Sequence, residues 1–189
     1  MKITGVTVMA AMVGTTVWAD ALPAAERQVT VCMGYTDNLG LENQAKVVAS
    51  DIFAGIGVKI LWHSPRQCPA EAILITFSND EPASLLPGAL AYAMPFEGRH
   101  IVVFYDRVKT RPGSVSCLLG HVIAHEVAHI LQGLKRHSEG GIMKAQWDGA
   151  DYQQMTWKPL QFTDEDVILI YSGLKIREAS RCSGGGGRR

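Results

Sequence analysis

Residues 125–129 read His-Glu-Val-Ala-His, and they constrain the chain more than any other segment. On a helix, side chains four residues apart lie on the same face, with about 5–6 Å between their Cβ atoms. His125 and His129 can therefore direct their rings at one ion, as a zinc site requires. Glu126 follows the first histidine directly, where it can act on a water molecule beside the metal rather than bind the metal.

The surrounding sequence predicts a buried helix over 117–134. Its side chains are mostly apolar, Ser114 or Ser116 can cap its start, and Gly133 can end it. Unpaired polar groups are costly inside a protein, so the polar side chains on this helix need partners. The histidines are either core residues satisfied by hydrogen bonds or metal ligands, and their spacing beside a glutamate favours the metal.

A third ligand is expected after the helix, because a catalytic zinc site has three protein ligands and leaves a fourth position open. Gly133 can adopt the left-handed conformation that ends a helix and turns the chain back. His137 then comes within reach of the metal, and we predict it as the third ligand. The alternative is a surface histidine in a basic turn beside Lys135 and Arg136.

Other residues near the motif are weaker ligand candidates. His121 lies one turn before His125, but three histidines along a straight helix diverge too far to converge on one ion. We therefore assign His121 a packing or supporting role. Glu139, Asp148 and Asp151 remain alternatives if the zinc fold is of another kind, and the milder expectation is that one of them orients a ligand histidine.

The order of these residues resembles the metzincin clan of zinc endopeptidases. The metzincin signature is H-E-x-x-H-x-x-G-x-x-H, followed by a tight turn with a methionine beneath the metal. This chain has one more residue on each side of the glycine, and Gly-Ile-Met follows at 141–143. The resemblance implies one Zn²⁺ per chain on His125, His129 and His137, catalysis by Glu126, and a Met-turn at Met143.

One further position departs from the family pattern. Many metzincins carry a tyrosine two residues after the Met-turn methionine, and this chain has Ala145 there. Tyr152 is a candidate substitute. The widened spacing and this missing tyrosine leave the catalytic competence of the site open.

Strands and helices alternate along the rest of the chain. Periodicity predicts strands at 28–34, 58–62, 72–77, 90–94 and 101–105, a helix at 41–54, and a last helix from Thr163 to about Leu174. This order matches the metzincin layout. The resemblance implies an α+β, zincin-like fold with a mixed, mostly parallel five-stranded sheet, an antiparallel edge strand, an active-site helix and a C-terminal helix.

The edge strand is where substrate binds in that family, by adding to the sheet as an extra strand. Main-chain hydrogen bonds then give affinity and side-chain pockets give selectivity. The resemblance assigns this role to Leu90, Ala91, Tyr92 and Ala93, whose small alanines would let a peptide backbone approach. The alternative is an ordinary sheet edge blunted by Pro95.

The first residues predict a signal peptide over 1–19. Lys2 is followed by an uncharged stretch of apolar and small residues, and cleavage is expected after Ala19 or Ala21. A membrane anchor is the alternative, but the stretch is short and rich in Gly, Ala and Thr. We therefore expect a secreted or periplasmic protein with one metallopeptidase-like domain over 20–182 and a disordered Gly-rich tail over 183–189.

The cysteine count fits export. Four cysteines are present, and an even number in an exported protein indicates disulfides. Three pairings are open, and we expect Cys32–Cys68 with Cys117–Cys182.

The resemblance implies a secreted zinc-dependent endopeptidase that acts on peptide or protein substrates, as a monomer and without membrane association after signal cleavage. The formal net charge of zero gives no indication of a nucleic-acid partner. The main alternative is an exported zinc-binding domain without proteolytic activity, although Glu126 would then have no purpose. A purely structural zinc site would need a fourth ligand, and an amidase is a further alternative.

Overall fold

The computed structural model describes residues 27–80, 82 and 87–184, the last four in their backbone alone. The predicted signal peptide over 1–19 lies outside these residues, and so do positions 185–189 of the predicted tail. Positions 183 and 184 are helical rather than disordered, because the last helix continues to Gly184. Among the described helices, none is both long and apolar enough to cross a bilayer.

A single five-stranded sheet forms the centre of the described chain. Its strands are β1 Arg27–Met33, β2 Val58–His63, β3 Ile73–Phe77, β4 Ala91–Ala93 and β5 His100–Val103. They lie in the order β2-β1-β3-β5-β4. The pairs among β2, β1, β3 and β5 are parallel, and β4 pairs antiparallel with β5 at the edge. The predicted mixed sheet with an antiparallel edge strand is confirmed.

Within the described ranges, five α-helices accompany the sheet. They are α1 Leu39–Ala54, α2 Tyr105–Lys109, α3 Val115–Gln132, α4 Gly149–Met155 and α5 Asp164–Gly184. A short 3₁₀ turn, Pro65–Gln67, lies between β2 and β3. Helix α3 packs between α1 and α5 and also contacts β4 and β5. The helix that carries the histidine motif is therefore enclosed by the rest of the fold.

Two glycines allow α3 to approach its neighbours closely. A Cβ atom on Gly120 would lie 2.6 Å from the Val48 side chain of α1. A Cβ atom on Gly173 of α5 would lie 1.6 Å from the carbonyl oxygen of Leu131. Any other residue at Gly173 would thus force the backbones of α3 and α5 apart, which fixes the relative position of the two helices.

The structure corrects three boundaries of the predicted elements. Residue 105 was predicted as strand, but Tyr105 is the first residue of α2. The pairing of this segment with the β4 segment ends one residue earlier, where the amide of Phe104 donates to the carbonyl of Leu90 at 2.8 Å. The stretch over 144–162, where the sequence predicts no helix or strand, contains α4, whose start is fixed by a reciprocal cap between Asp148 and Asp151. The last helix also continues ten residues beyond the predicted end at 174.

One of the two predicted disulfides is present. Cys32 and Cys68 are bonded, with 5.7 Å between their Cα atoms. The prediction of Cys117–Cys182 is wrong, because Cys117 is a free thiol that donates to the carbonyl oxygen of Met155 at 3.0 Å. Helix α5 meets α3 at Leu131, about 21 Å along the helix from Cys117.

Candidate metal centre

Helix α3 buries its polar residues because it is hidden on all sides. Every residue from 118 to 131 is buried. The Ser114 side chain accepts a hydrogen bond from the amide of Cys117 at the start of the helix, and Gly133 ends it in the left-handed conformation with φ of 66°. The two capping residues agree with the sequence prediction, although the helix begins and ends two residues earlier than the predicted range of 117–134. The histidine motif lies in the C-terminal half of the helix.

Hydrogen bonds fix the orientation and the tautomer of the first two histidines. Nδ1 of His125 donates to the carbonyl oxygen of Ile142 at 2.8 Å, and Nδ1 of His129 donates to that of Leu134 at 2.9 Å. Each ring therefore has an unprotonated Nε2 with a free lone pair. These two Nε2 atoms face each other at 3.0 Å.

Two lone pairs at this distance repel each other. A proton moved from Nδ1 to Nε2 would cost that ring its bond to a backbone carbonyl, and an added proton would make a buried imidazolium, which burial disfavours. A metal cation satisfies both lone pairs at once. His137 completes the set, since ligand atoms of His125, His129 and His137 all lie within 4.8 Å of one another. Its ring centroid is 5.4 Å from that of His125 and 5.0 Å from that of His129. The donor set thus fits the metal that the sequence predicts.

The electrostatics of the rings agree with metal binding. Burial lowers the pKa of His125 to about 3 and that of His129 to about 4. Burial also lowers the pKa of His137. All three rings are therefore neutral at neutral pH, and neutral imidazole is the form that binds a metal.

Glu126 is buried beside the histidines, under the edge strand. Burial raises the pKa of its carboxyl group to about 8, and a hydrogen bond from the backbone of Ala93 opposes this shift only in part. These values hold for the protein without a metal, and a cation on the three histidines would lower the pKa of this carboxyl group. The carboxylate connects the histidine helix to β4.

The turn that contains Met143 orients His125 through backbone hydrogen bonds. Ile142 donates its amide to the carbonyl of Gln161 at 3.0 Å and offers its own carbonyl to His125. Gly141 has φ of 71°, and a Cβ atom there would lie 2.3 Å from the same Gln161 oxygen. Met143 is fully buried and does not line the cleft. Its predicted place in a tight turn next to the site therefore agrees with the structure.

The chain between Gly133 and His137 is held by residues far along the sequence. The amide of Ser138 donates to the carbonyl of Met143 at 2.8 Å. Its hydroxyl donates at 2.7 Å to Asp166, a buried carboxylate at the start of α5. Asp166 played no part in the sequence-based site. Its only sequence signal was its position in the acidic first turn of the last helix.

A cleft of about 990 Å³ runs between β4 and the histidine helix. The three histidines and Glu126 line it, as do all four predicted edge-strand residues, Leu90, Ala91, Tyr92 and Ala93. Tyr152 also lines the cleft, whereas Met143 does not. The structure thus brings the predicted catalytic, metal-binding and substrate-binding residues into one cavity.

The alternative ligands all lie outside the histidine cluster, and of these Glu139 is exposed. His121 donates from Nδ1 to the carbonyl of Cys117 at 2.8 Å and accepts at Nε2 from the amide of Leu160 at 3.1 Å, so it is a satisfied core histidine. Asp148 and Asp151 both pair with Lys144, at 2.6 and 2.7 Å. Within the described residues, the only histidine, cysteine or acidic cluster suited to a metal is the predicted histidine triad.

Comparison with known proteins gives a match in structure but not in sequence. The fold is similar to the crystal structure of archaemetzincin from Methanopyrus kandleri, with a TM-score of 0.54 and 15% sequence identity over 82% of this chain and 99% of the other. No family model and no curated protein sequence matches the chain. The structural likeness concerns the fold, and it confirms the zincin-like, metzincin-type fold that the motif led us to expect.

Proposed function

We propose that this protein is an exported zinc-dependent endopeptidase that hydrolyses peptide bonds in the cleft beneath β4. One observation carries the proposal: two unprotonated Nε2 atoms, 3.0 Å apart, share a cavity with a third histidine and a buried glutamate. A structural zinc site is normally closed by four ligands. Among the described residues this cluster supplies three, so a coordination position is left for the reaction.

The three histidines would hold one zinc ion through their neutral rings. When bound, zinc polarises the carbonyl of the scissile bond and lowers the pKa of water in the cleft. Glu126 has the task of taking the proton from the attacking water and passing it to the leaving amine. Its burial and its contact with β4 place the carboxyl group between the helix and the strand on which the substrate would lie.

The β4 edge can bind an extended peptide through its backbone. The amide of Phe104 donates to the carbonyl of Leu90 at 2.8 Å, and the amide of Met94 donates to the carbonyl of His100 at 2.9 Å. Tyr92 lies opposite Val102, between these two bonds. Because bonding direction alternates along an antiparallel strand, the backbone groups of the two alanines, 91 and 93, point away from β5. An added substrate strand would pair with the backbone of Ala91 and the carbonyl of Ala93, since the Ala93 amide already donates to Glu126.

Export is supported by the disulfide and by the predicted signal peptide. A disulfide such as Cys32–Cys68 persists in oxidising compartments and is rare in the cytosol. We therefore propose that the protein acts outside the cytoplasm. The proposal extends to a monomer that acts on peptide or protein substrates, without a nucleic-acid or membrane partner.

The test combines metal content, cleavage and one isosteric substitution. Mature protein is analysed for zinc by elemental mass spectrometry and incubated with a peptide library whose products are identified by mass spectrometry. Glu126→Gln should keep the zinc and lose about 10²–10⁴-fold in turnover, the usual contribution of a general base. Glu178→Gln, at an exposed position on α5 outside the cleft, is the matched control and should cut normally.

Each other result excludes a part of the proposal. Near wild-type turnover of Glu126→Gln would show that another group removes the proton. Bound zinc without cleavage of any peptide would favour the alternative, a zinc-binding domain that no longer cuts. Protein that binds no zinc would contradict the entire proposal.

A further inference from the structure

One end of the cleft is formed by an aromatic ring and a lysine from opposite walls. Phe96 follows β4 in the turn to β5, and Lys135 lies in the loop between α3 and His137. Lys135 Nζ lies 5.6 Å from the centroid of the Phe96 ring, and both side chains line the cleft. A peptide that extends along the β4 edge and away from the metal centre would therefore pass this pair.

Both side chains of this pair are within reach of a substrate. Phe96 is 78% exposed and its ring lines the cleft. No ion pair among the described residues involves Lys135, so its charge has the Phe96 ring as its partner. An aromatic face alone gives such a lysine only part of the stabilisation that a carboxylate gives.

Two other charged side chains that line the cleft already have polar partners. Lys144 binds the carboxylates of Asp148 and Asp151. Glu97, next to Phe96, accepts from the amide of His100 at 3.0 Å and from Nδ1 of the same residue at 2.7 Å. Two lining cations, Lys135 and Arg111, have no carboxylate partner among the described residues. Arg111 donates to the carbonyl of Gly88 at 3.0 Å, before β4, whereas Lys135 lies beside Phe96, after β4.

We propose that Phe96 and Lys135 form a subsite for an acidic side chain of the substrate, with glutamate as the best fit. This inference rests on the proposed function, since it names the peptides that the same site prefers. The methylene groups of a glutamate would cover the exposed ring while its carboxylate pairs with the lysine Nζ. Because side chains alternate along an extended peptide, the preference should concentrate at one position on one side of the scissile bond.

The experiment compares matched peptides on the zinc-loaded protein. Starting from a sequence that is cut, each position on either side of the bond carries Glu, Gln or Lys in turn. At one position Glu should give about fivefold higher kcat/KM than Gln, the size expected for an ion pair exposed to solvent, and Lys should be cut more slowly still. The preference should shrink as salt is raised.

Two substitutions assign the preference to the pair. Lys135→Glu should reverse the order so that Lys is cut faster than Glu, and Phe96→Ala should reduce the rate for both. Lys175→Glu, the same charge reversal on an exposed face of α5 outside the cleft, is the control and should leave the order unchanged. Equal zinc content in all variants shows that the metal centre is intact.

The outcomes separate the subsite from the proposed function. Cleavage with no difference between Glu and Gln at any position, or a preference that survives Lys135→Glu, overturns the subsite and leaves the peptidase proposal standing. If no peptide is cut, the peptidase proposal fails. The affinity of the same peptides, labelled and measured by fluorescence anisotropy, then tests the subsite. A Glu peptide that binds no more tightly than its Gln partner then overturns the subsite.

Discussion

Replacing Asp166 with asparagine should weaken both the fold and the metal centre. The side chain of Asp166 is fully buried at the start of α5. Oδ1 accepts from Arg136 at 2.8 Å and from the Ser138 hydroxyl at 2.7 Å, while Oδ2 accepts from the amide and the hydroxyl of Thr163 at 3.1 and 2.7 Å. One carboxylate therefore joins α5 to the loop that carries His137.

The magnitude follows from counting donors. An asparagine has one acceptor oxygen, so its NH₂ group must face either the Thr163 donors or the Arg136 and Ser138 donors. A buried donor left unsatisfied costs about 1–3 kcal/mol, and the lost charge-assisted bond costs a similar amount. Arg136 recovers part of this because its side chain is 27% exposed and also pairs with Glu165. We expect Asp166→Asn to lower the free energy of unfolding by about 3 kcal/mol.

Urea unfolding of the zinc-stripped protein measures the structural loss, which corresponds to a decrease of about 6–12 °C in Tm for a domain of this size. Competition with a chelator of known affinity measures the second effect, a zinc affinity about tenfold weaker, because Ser138 lies next to the third ligand. Asp164→Asn is the control, an exposed carboxylate in the same first turn, and should cost at most about 1 kcal/mol.

If Asp166→Asn unfolds at the same urea concentration as Asp164→Asn, the buried carboxylate does not hold α5 to the loop. If stability falls but zinc affinity is unchanged, the network supports the fold without positioning His137. Either result would refute the corresponding half of the reasoning.

The remaining predictions concern pH and helix packing. Unfolded imidazoles titrate near pH 6.5, whereas burial holds the pKa of His125 at about 3 and of His129 at about 4, so the unfolded state binds more protons between these values. The stability of the zinc-stripped protein, measured by urea unfolding, should be greatest near pH 6.5 and fall by at least about 1.4 kcal/mol per pH unit towards pH 4.5, since folded Glu126, with its pKa raised from 4.5 to about 8, keeps a proton that offsets one of these two histidines. Above pH 6.5 the stability should fall again towards pH 8, because unfolded Glu126 has already lost that proton. A flat profile would contradict the buried neutral rings and the buried neutral carboxyl group. Gly173→Ala should lower the free energy of unfolding by about 3 kcal/mol or prevent folding, because the new methyl group meets the backbone of Leu131. Gly149→Ala, at a position with open space around the Cβ atom, is the control. Equal Tm values for the two alanine variants would argue against the close approach of α3 and α5.

The parts of the structure that could be predicted from the sequence are those with a local repeating signal. The buried runs at β1, β2 and β3 and the apolar stretch around the motif each repeat over several residues, and each was located correctly. The ligand pair His125 and His129 is equally local, because the geometry of a helix alone places the two rings on one face.

Other features depend on contacts that the local sequence does not record. Helices α2 and α4 are five and seven residues long, too short for a periodic pattern. The carbonyl groups that orient the ligand histidines belong to Ile142 and Leu134, and any residue could supply a backbone carbonyl at those positions. The wrong cysteine pair had the same cause, since the distance between the ends of α3 and α5 depends on how the two helices cross.

The third ligand shows where the local argument ends. The extra residue before Gly133 extends the helix by one position, since the amide of Gly133 still donates to the carbonyl of His129 at 3.0 Å. Among the described backbone hydrogen bonds, none joins two residues of the wider loop that follows, over 134–137. Instead, Ser138 donates hydrogen bonds to Met143 and Asp166. Because these two partners come from the Met-turn and from α5, the position of His137 is a tertiary property. The variant spacing is therefore compatible with a three-histidine site, provided that the Met-turn and α5 remain in place.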